Sequence, residues 1–214
     1  MDLSGCRTCR TCRGPVLPGY AICYQCDQAT RIAGGLLADA VAPISYAVKG
    51  GDLARDLWLY KSGLDGAVES ASRICTTLSE YLDEHGASVW RAAGMPDGPG
   101  AVAVVPSGQG RLGDHPLLAI AEAATGLPVI SLMVRPGCAA HGRYVSTGWL
   151  RVGGRVSSAD VLLVEDSWVS GASAQSAAAA LKLAGAARVA ALVIGRHVDP
   201  GDPRSRELVR ALSA

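Results

Sequence analysis

Charge of one sign and long apolar runs are both missing from this chain of 214 residues. Lysine and arginine total 20 against 19 aspartates and glutamates, a formal net charge of +1. That balance gives no electrostatic footprint of the kind a DNA-binding domain carries. No basic stripe is interleaved with aromatics, as a single-strand platform requires, and no DNA-reading helix stands out. Nucleic acid is therefore a disfavoured partner. No stretch approaches the length of a bilayer span, so no membrane partner is expected. The opening residues, MDLSGCRTCR, lack the apolar core of a signal peptide. The expected compartment is the cytoplasm, where thiols stay reduced.

Cysteine, by contrast, is concentrated: five of the seven fall in the first 26 residues. In a reducing compartment such a cluster argues for metal over disulfides. Cys9-x2-Cys12, ten intervening residues and Cys23-x2-Cys26 make two knuckles spaced for one tetrahedral zinc. Gly14, Pro15, Pro18 and Gly19 supply the turns between them. So short a segment buries no core of its own, and metal binding supplies its folding free energy. Four thiolates leave no open coordination position, which makes the expected zinc structural. Cys6 leaves a second pairing open, because Cys6-x2-Cys9 is also a knuckle; the glycine after the later pair favours Cys9 with Cys12. Cys75 and Cys138 stand alone and read as packing residues. Residues 1–30 are thus a zinc ribbon, and residues 31–214 are long enough for one α/β domain.

The densest signal lies at VLLVEDSWVSGAS, residues 161–173. Val161 to Val164 read as a strand buried on both faces of a parallel sheet, with Glu165 and Asp166 at its end. A small, hydroxyl-bearing turn then enters an alanine-rich helix. Strand, glycine turn and helix start make an anion site, to which Ser170 and Ser173 add hydroxyls. The acids would repel a phosphate at close range and suit sugar hydroxyls or hydrated magnesium. Upstream, residues 27–41 read as a linker with modest helical character. PISYAVKGGDLARDLWLYKSG reads as a strand, a glycine turn and a helix with Leu53, Leu57 and Trp58 on one face. Residues 65–93 carry a helical stripe of Val68, Ala71, Cys75, Leu78 and Leu82. Ala101 to Val105 is a second buried strand. Asp114 is the expected N-cap of the next helix, with Pro116 in its first turn. Leu127 to Met133 and Arg188 to Ile194 complete the strands. Strands alternating with helices predict a doubly wound parallel sheet whose ligands bind beyond the strands' carboxyl ends.

VLLVEDSWVSGAS resembles the 5-phosphoribosyl 1-pyrophosphate (PRPP) signature of type I phosphoribosyltransferases. A cysteine ribbon followed by a strand, a helix and Tyr60-Lys61-Ser62-Gly63 is similar to the ComF family. Those proteins are phosphoribosyltransferase-like and associated with competence and DNA uptake in some bacteria. The resemblance implies that Glu165 and Asp166 contact the ribose 2′- and 3′-hydroxyls. Val169, Ser170, Gly171, Ala172 and Ser173 would wrap the 5′-phosphate. Ser107 to Arg111, including Gly108, resembles the loop whose amides hold pyrophosphate. Arg135, His141 and Arg143 lie where the family has a mobile loop over that group. Lys61 is either a phosphate-facing cation or a solvated partner of its helix dipole, and His115 reads as structural.

The chemistry so implied is displacement of pyrophosphate from C1 of PRPP, with magnesium on the leaving group and zinc only structural. Partners would be PRPP and a small-molecule acceptor, with a homodimer left open. Enzymes for 6-oxopurines carry an aspartate where this chain has Val169, which speaks against that acceptor. Ser167 and Val169 are similar to amidophosphoribosyltransferases, but Asp2, not a cysteine nucleophile, follows Met1. The leading expectation is a transferase acting on a small nitrogenous acceptor. A nucleic-acid-handling accessory and a non-catalytic PRPP-binding regulator are the alternatives.

Overall fold

The computed structural model describes residues 7–107, 115–138, 142–154 and 156–213. Within them the chain runs α1 (Tyr24–Ala33), β1 (Ala40–Val48), α2 (Asp52–Leu59), α3 (Ala67–Ala93), β2 (Ala101–Val104) and α4 (Pro116–Thr125). It continues through β3 (Val129–Ile130), β4 (Leu132–Val134), β5 (Leu150–Val152), β6 (Asp160–Trp168), α5 (Ala172–Leu183), β7 (Arg188–Val198) and α6 (Arg206–Leu212). Five strands form one sheet in the order β1-β7-β6-β2-β3, and every pairing in it is parallel. The expected doubly wound α/β architecture is what the chain adopts.

Alternation along the central strands divides the core. Leu162 and Val164 on β6, with Val102, Val104, Leu192 and Ile194, pack against Leu57, Ile74, Leu78, Leu117 and Ile120. That face carries α2, α3 and α4. Val161 and Leu163, with Ala103, Val189, Ala191 and Val193, face Ala174, Ala177, Ala178 and Leu181 of α5. The connections from β1 to β2 and from β2 to β3 run one way across the sheet; that from β6 to β7 runs the other. Parallel crossovers are right-handed, so opposite directions require opposite faces. The chain reverses between β2 and β6, and a crevice opens there at the carboxyl ends.

Several local expectations are corrected. β6 does not stop at Val164: Glu165, Ser167 and Trp168 keep pairing with Val193, Gly195 and Arg196 of β7. The backbone hydrogen bonds of a neighbouring strand override the polar pattern. Trp58 is 58 % exposed and Val68 is 76 % exposed; the α3 stripe otherwise holds, with Ala71, Cys75, Leu78 and Leu82 on the core and Ile74 added to it. The segment 127–133 splits into β3, in the main sheet, and β4, which pairs antiparallel with β5. His115 is the N-cap of α4, its Nδ1 accepting the Leu117 N–H at 3.2 Å; Asp114 lies outside the described residues. α1, Tyr24–Ala33, overlaps the stretch 27–41, where modest helical character is expected. Among the described residues, no helix is long and apolar enough to cross a membrane.

Candidate active site and metal centre

β2 and β6 pair from Ala101 with Val161 to Val104 with Val164, and the Val105 N–H donates to the Val164 carbonyl at 3.1 Å. Beyond that point β2 leaves through Pro106 and Ser107 while β6 continues, paired only with β7. Glu165 and Asp166 therefore sit on the β6 side of the crevice. Glu165 is buried, and its Oε2 has no partner among the described residues. Burial, and then the charge of Asp166, push its carboxyl well above the usual range, against an opposing pull from Lys61. Asp166 is held differently. Its Oδ2 accepts from Tyr60 Oη at 2.7 Å and from Lys61 Nζ at 2.6 Å. The two acids are held differently: burial favours the neutral form of Glu165, and Asp166 is ion-paired with Lys61.

Tyr60 and Lys61 come from the end of α2, and Lys61 lies 105 residues from Asp166 in sequence. The His115 ring centroid stands 6.2 Å from that of Tyr60, which brings the start of α4 to the same corner. Lys61 thus serves Asp166 rather than a helix dipole. Nothing local in the sequence signalled Tyr60 or this pairing; only the YK-x-G resemblance pointed at the segment.

The loop that follows is shaped by Gly171, the N-cap of α5, at φ 80° and ψ 4°. An L-residue is strained there. Space is closed as well, because a Cβ on Gly171 would collide with the Trp168 indole. Ser170 Oγ accepts the Ala172 N–H at 3.3 Å. No acceptor among the described residues meets the N–H groups of Ser173 and Ala174. Those donors lie at the positive end of the α5 dipole.

The remaining expected contacts are less convergent. Ser107 follows the end of β2, whereas Gly108, Arg111 and His141 lie outside the described residues, as does Cys6. Arg135 Nε donates to the Leu150 carbonyl at 3.1 Å. It lines a cleft with Ala180, Leu183 and Ala184, at the far end of α5 from Ser170 and Ser173. Arg143 is exposed.

At the N-terminus, the sulfurs of Cys9, Cys12, Cys23 and Cys26 all lie within 4.8 Å of one another. Cys12 and Cys23 Sγ are 3.7 Å apart, against about 3.8 Å for two thiolates bound tetrahedrally at ~2.3 Å from zinc. The Cys23 N–H donates to Cys9 Sγ at 3.3 Å, a contact that favours thiolate. Hydrogen bonding from Cys12 pulls Cys23 down to about 6 and Cys9 lower still. Cys12 and Cys26 are pushed up in turn, chiefly by Cys23 and Cys12 respectively. A dication would let all four ionise, so the donor set fits a structural zinc. Cys75 is half-buried and Cys138 exposed, both apart from the cluster.

The cluster is docked on the α5 face. Cys9, Cys12 and Cys26 share an apolar cluster with Trp168 and the alanines of α5. Arg196 of β7, which no sequence pattern singled out, is buried beneath Gly14.

Fold and cluster define a doubly wound α/β protein with a four-thiol N-terminal segment. No family profile matches the chain and no curated protein matches it. Among solved structures it is similar to the purine phosphoribosyltransferase from Pyrococcus horikoshii Ot3, with 16 % identity and a TM-score of 0.36 over 62 % of this chain and 89 % of that one. A likeness of that extent carries no weight on function.

Proposed function

We propose that the chain binds PRPP in the crevice between β2 and β6 and transfers its phosphoribosyl group to a small nitrogenous acceptor. One observation carries this reading: two acids on a strand at the sheet's reversal point lead, within five residues, into a glycine-turned helix start with free N–H donors. Ser170, Gly171 and Ser173 hold the 5′-phosphate. Glu165 and Asp166 face the ribose hydroxyls, and a neutral Glu165 both donates and accepts there. The bond from C1 to the pyrophosphate oxygen breaks, the acceptor nitrogen bonds C1, and the acceptor's proton leaves. Positive charge on the ring is stabilised by Asp166, an effect larger in the transition state than in the ground state. Lys61 exchanges Asp166 for a pyrophosphate oxygen as the ligand enters. The carboxylate oxygens of Glu165 and Asp166 would suit a hydrated magnesium, which would supply charge neutralisation for the leaving group. Val169 offers no base, so a 6-oxopurine is not the acceptor proposed.

Calorimetry with PRPP and magnesium tests the phosphate site on wild type and Ser173→Asp. An aspartate in the first turn favours the helix yet repels a phosphate. Binding should fall by about tenfold or more. Equal binding by both proteins would put the phosphate elsewhere. Binding without pyrophosphate release from PRPP, whatever the acceptor supplied, would make the chain a PRPP-binding regulator or an accessory in nucleic-acid handling.

A further inference from the structure

Arg196 joins the two sites. Its Nη1 donates to the Trp168 carbonyl at 2.7 Å, to His197 at 2.8 Å and to Val169 at 3.3 Å. Trp168 and Val169 immediately precede Ser170. The guanidinium rests against Gly14, where a Cβ would displace it, and Gly14 accepts the Cys9 N–H at 2.7 Å. No carboxylate among the described residues pairs with Arg196, and its buried Nε has no partner. A buried guanidinium without an anion is costly. A dication held by four thiolates is a net negative centre, and it lies two residues from Gly14. The second link is Trp168, which shares one apolar cluster with Cys9, Cys12 and Cys26 and whose indole closes against Gly171. The loop's other support is local, Ser170 on Ala172.

We infer that Arg196 is a positioning residue coupling the cysteine centre to the phosphate loop, so that metal on the four thiolates and a 5′-phosphate at Ser170–Ser173 each strengthen binding of the other. The inference rests on the proposed phosphate site. Loaded, the knuckle presents Gly14 and a compensating charge to Arg196, which holds the carbonyls ahead of the loop. Unloaded, that seat loosens, and the N–H groups of Ser173 and Ala174 lose their common direction. Linkage makes the effect reciprocal.

The test measures the zinc affinity of the wild-type protein by chelator competition, with and without saturating ribose 5-phosphate. Affinity should rise by at least about fivefold with the phosphate present. In Arg196→Lys, which keeps the charge but loses the planar fork, the gain should vanish while zinc still binds. If that variant does not fold, the wild-type comparison decides alone. Ribose 5-phosphate binding with unchanged zinc affinity overturns the coupling and leaves the phosphate site standing. A gain that persists in Arg196→Lys overturns the role of Arg196. Failure of ribose 5-phosphate to bind the zinc-loaded protein overturns site and coupling together.

Discussion

On one face of the sheet, Ile74, Leu78, Leu117 and Ile120 bury large side chains against Val102, Leu162 and Leu192. On the other, α5 offers Ala174, Ala177 and Ala178 to Val161, Leu163 and Ala191. Branched side chains hold α2, α3 and α4 mainly by apolar burial, and Asp56 of α2 accepts from Ser70 and Arg73 of α3. Alanine favours the helix and lets α5 come close, but contributes little area per residue. The space beyond is filled by Trp168, Trp149 and the cysteine knuckles. One face is closed by its own helices; the other is completed by the four-cysteine segment. The loop proposed to hold phosphate grows from that second face.

Stripping the metal should separate the faces most sharply. Structural zinc contributes about 10–16 kcal/mol of apparent binding free energy in isolated zinc-finger peptides, so chelation should unfold the knuckles. Metal analysis should find about one zinc per chain, and hydrogen exchange should show residues 9–26 losing protection while β6 and β7 keep theirs. Cys23→Ser should act in the same direction. Unchanged protection after zinc loss would erase the contrast. Leu78→Ala is the complementary experiment on the opposite face. Leu78 is fully buried, and its truncation should cost about 2–5 kcal/mol in denaturant unfolding without lowering zinc content.

Gly171→Ala comes next. Positive φ and the Trp168 indole both oppose a Cβ, and the expected loss is about 1–3 kcal/mol by thermal unfolding. That obstacle is the packed ring, not only an approaching phosphate, so a bulkier Gly171→Val would damage fold and ligand site together.

How much of this was legible follows from where each signal resides. The alternation of strands and helices, the cysteine spacing and the turn at Gly171 are local, and the sequence carried them. β6 was read four residues short because Glu165, Ser167 and Trp168 are strand only through their bonds to β7. Lys61 meets Asp166 across 105 residues, and Arg196 meets Gly14 only because the ribbon docks on α5; no periodicity records either contact. A helix of eight residues, Asp52–Leu59, leaves the edge of its buried stripe undefined, and Trp58 falls on the exposed side of it. Asp114 looked like the better cap by residue type, yet His115 Nδ1 does that work.

The smallest effect concerns Glu165. Below the ordinary value of 4.5 the folded and unfolded chains both hold its proton. Above it only the unfolded chain ionises, so stability falls with rising pH until the raised folded value is passed. Glu165→Gln should therefore match wild type near about pH 4 and exceed it near about pH 8 by on the order of 1 kcal/mol. Parallel pH profiles would mean that Glu165 is ionised in the folded chain.

The most direct test of the proposed activity is magnesium-dependent release of pyrophosphate from PRPP, with a panel of amines and nucleobases, by wild type and Asp166→Asn. The substitution is nearly isosteric and removes the charge that Lys61 balances at 2.6 Å. Turnover should fall by roughly a hundredfold, the equivalent of a few kcal/mol of transition-state stabilisation, with a much smaller change in PRPP affinity. Equal release by both proteins, or none by wild type with any acceptor, would contradict catalysis at this site.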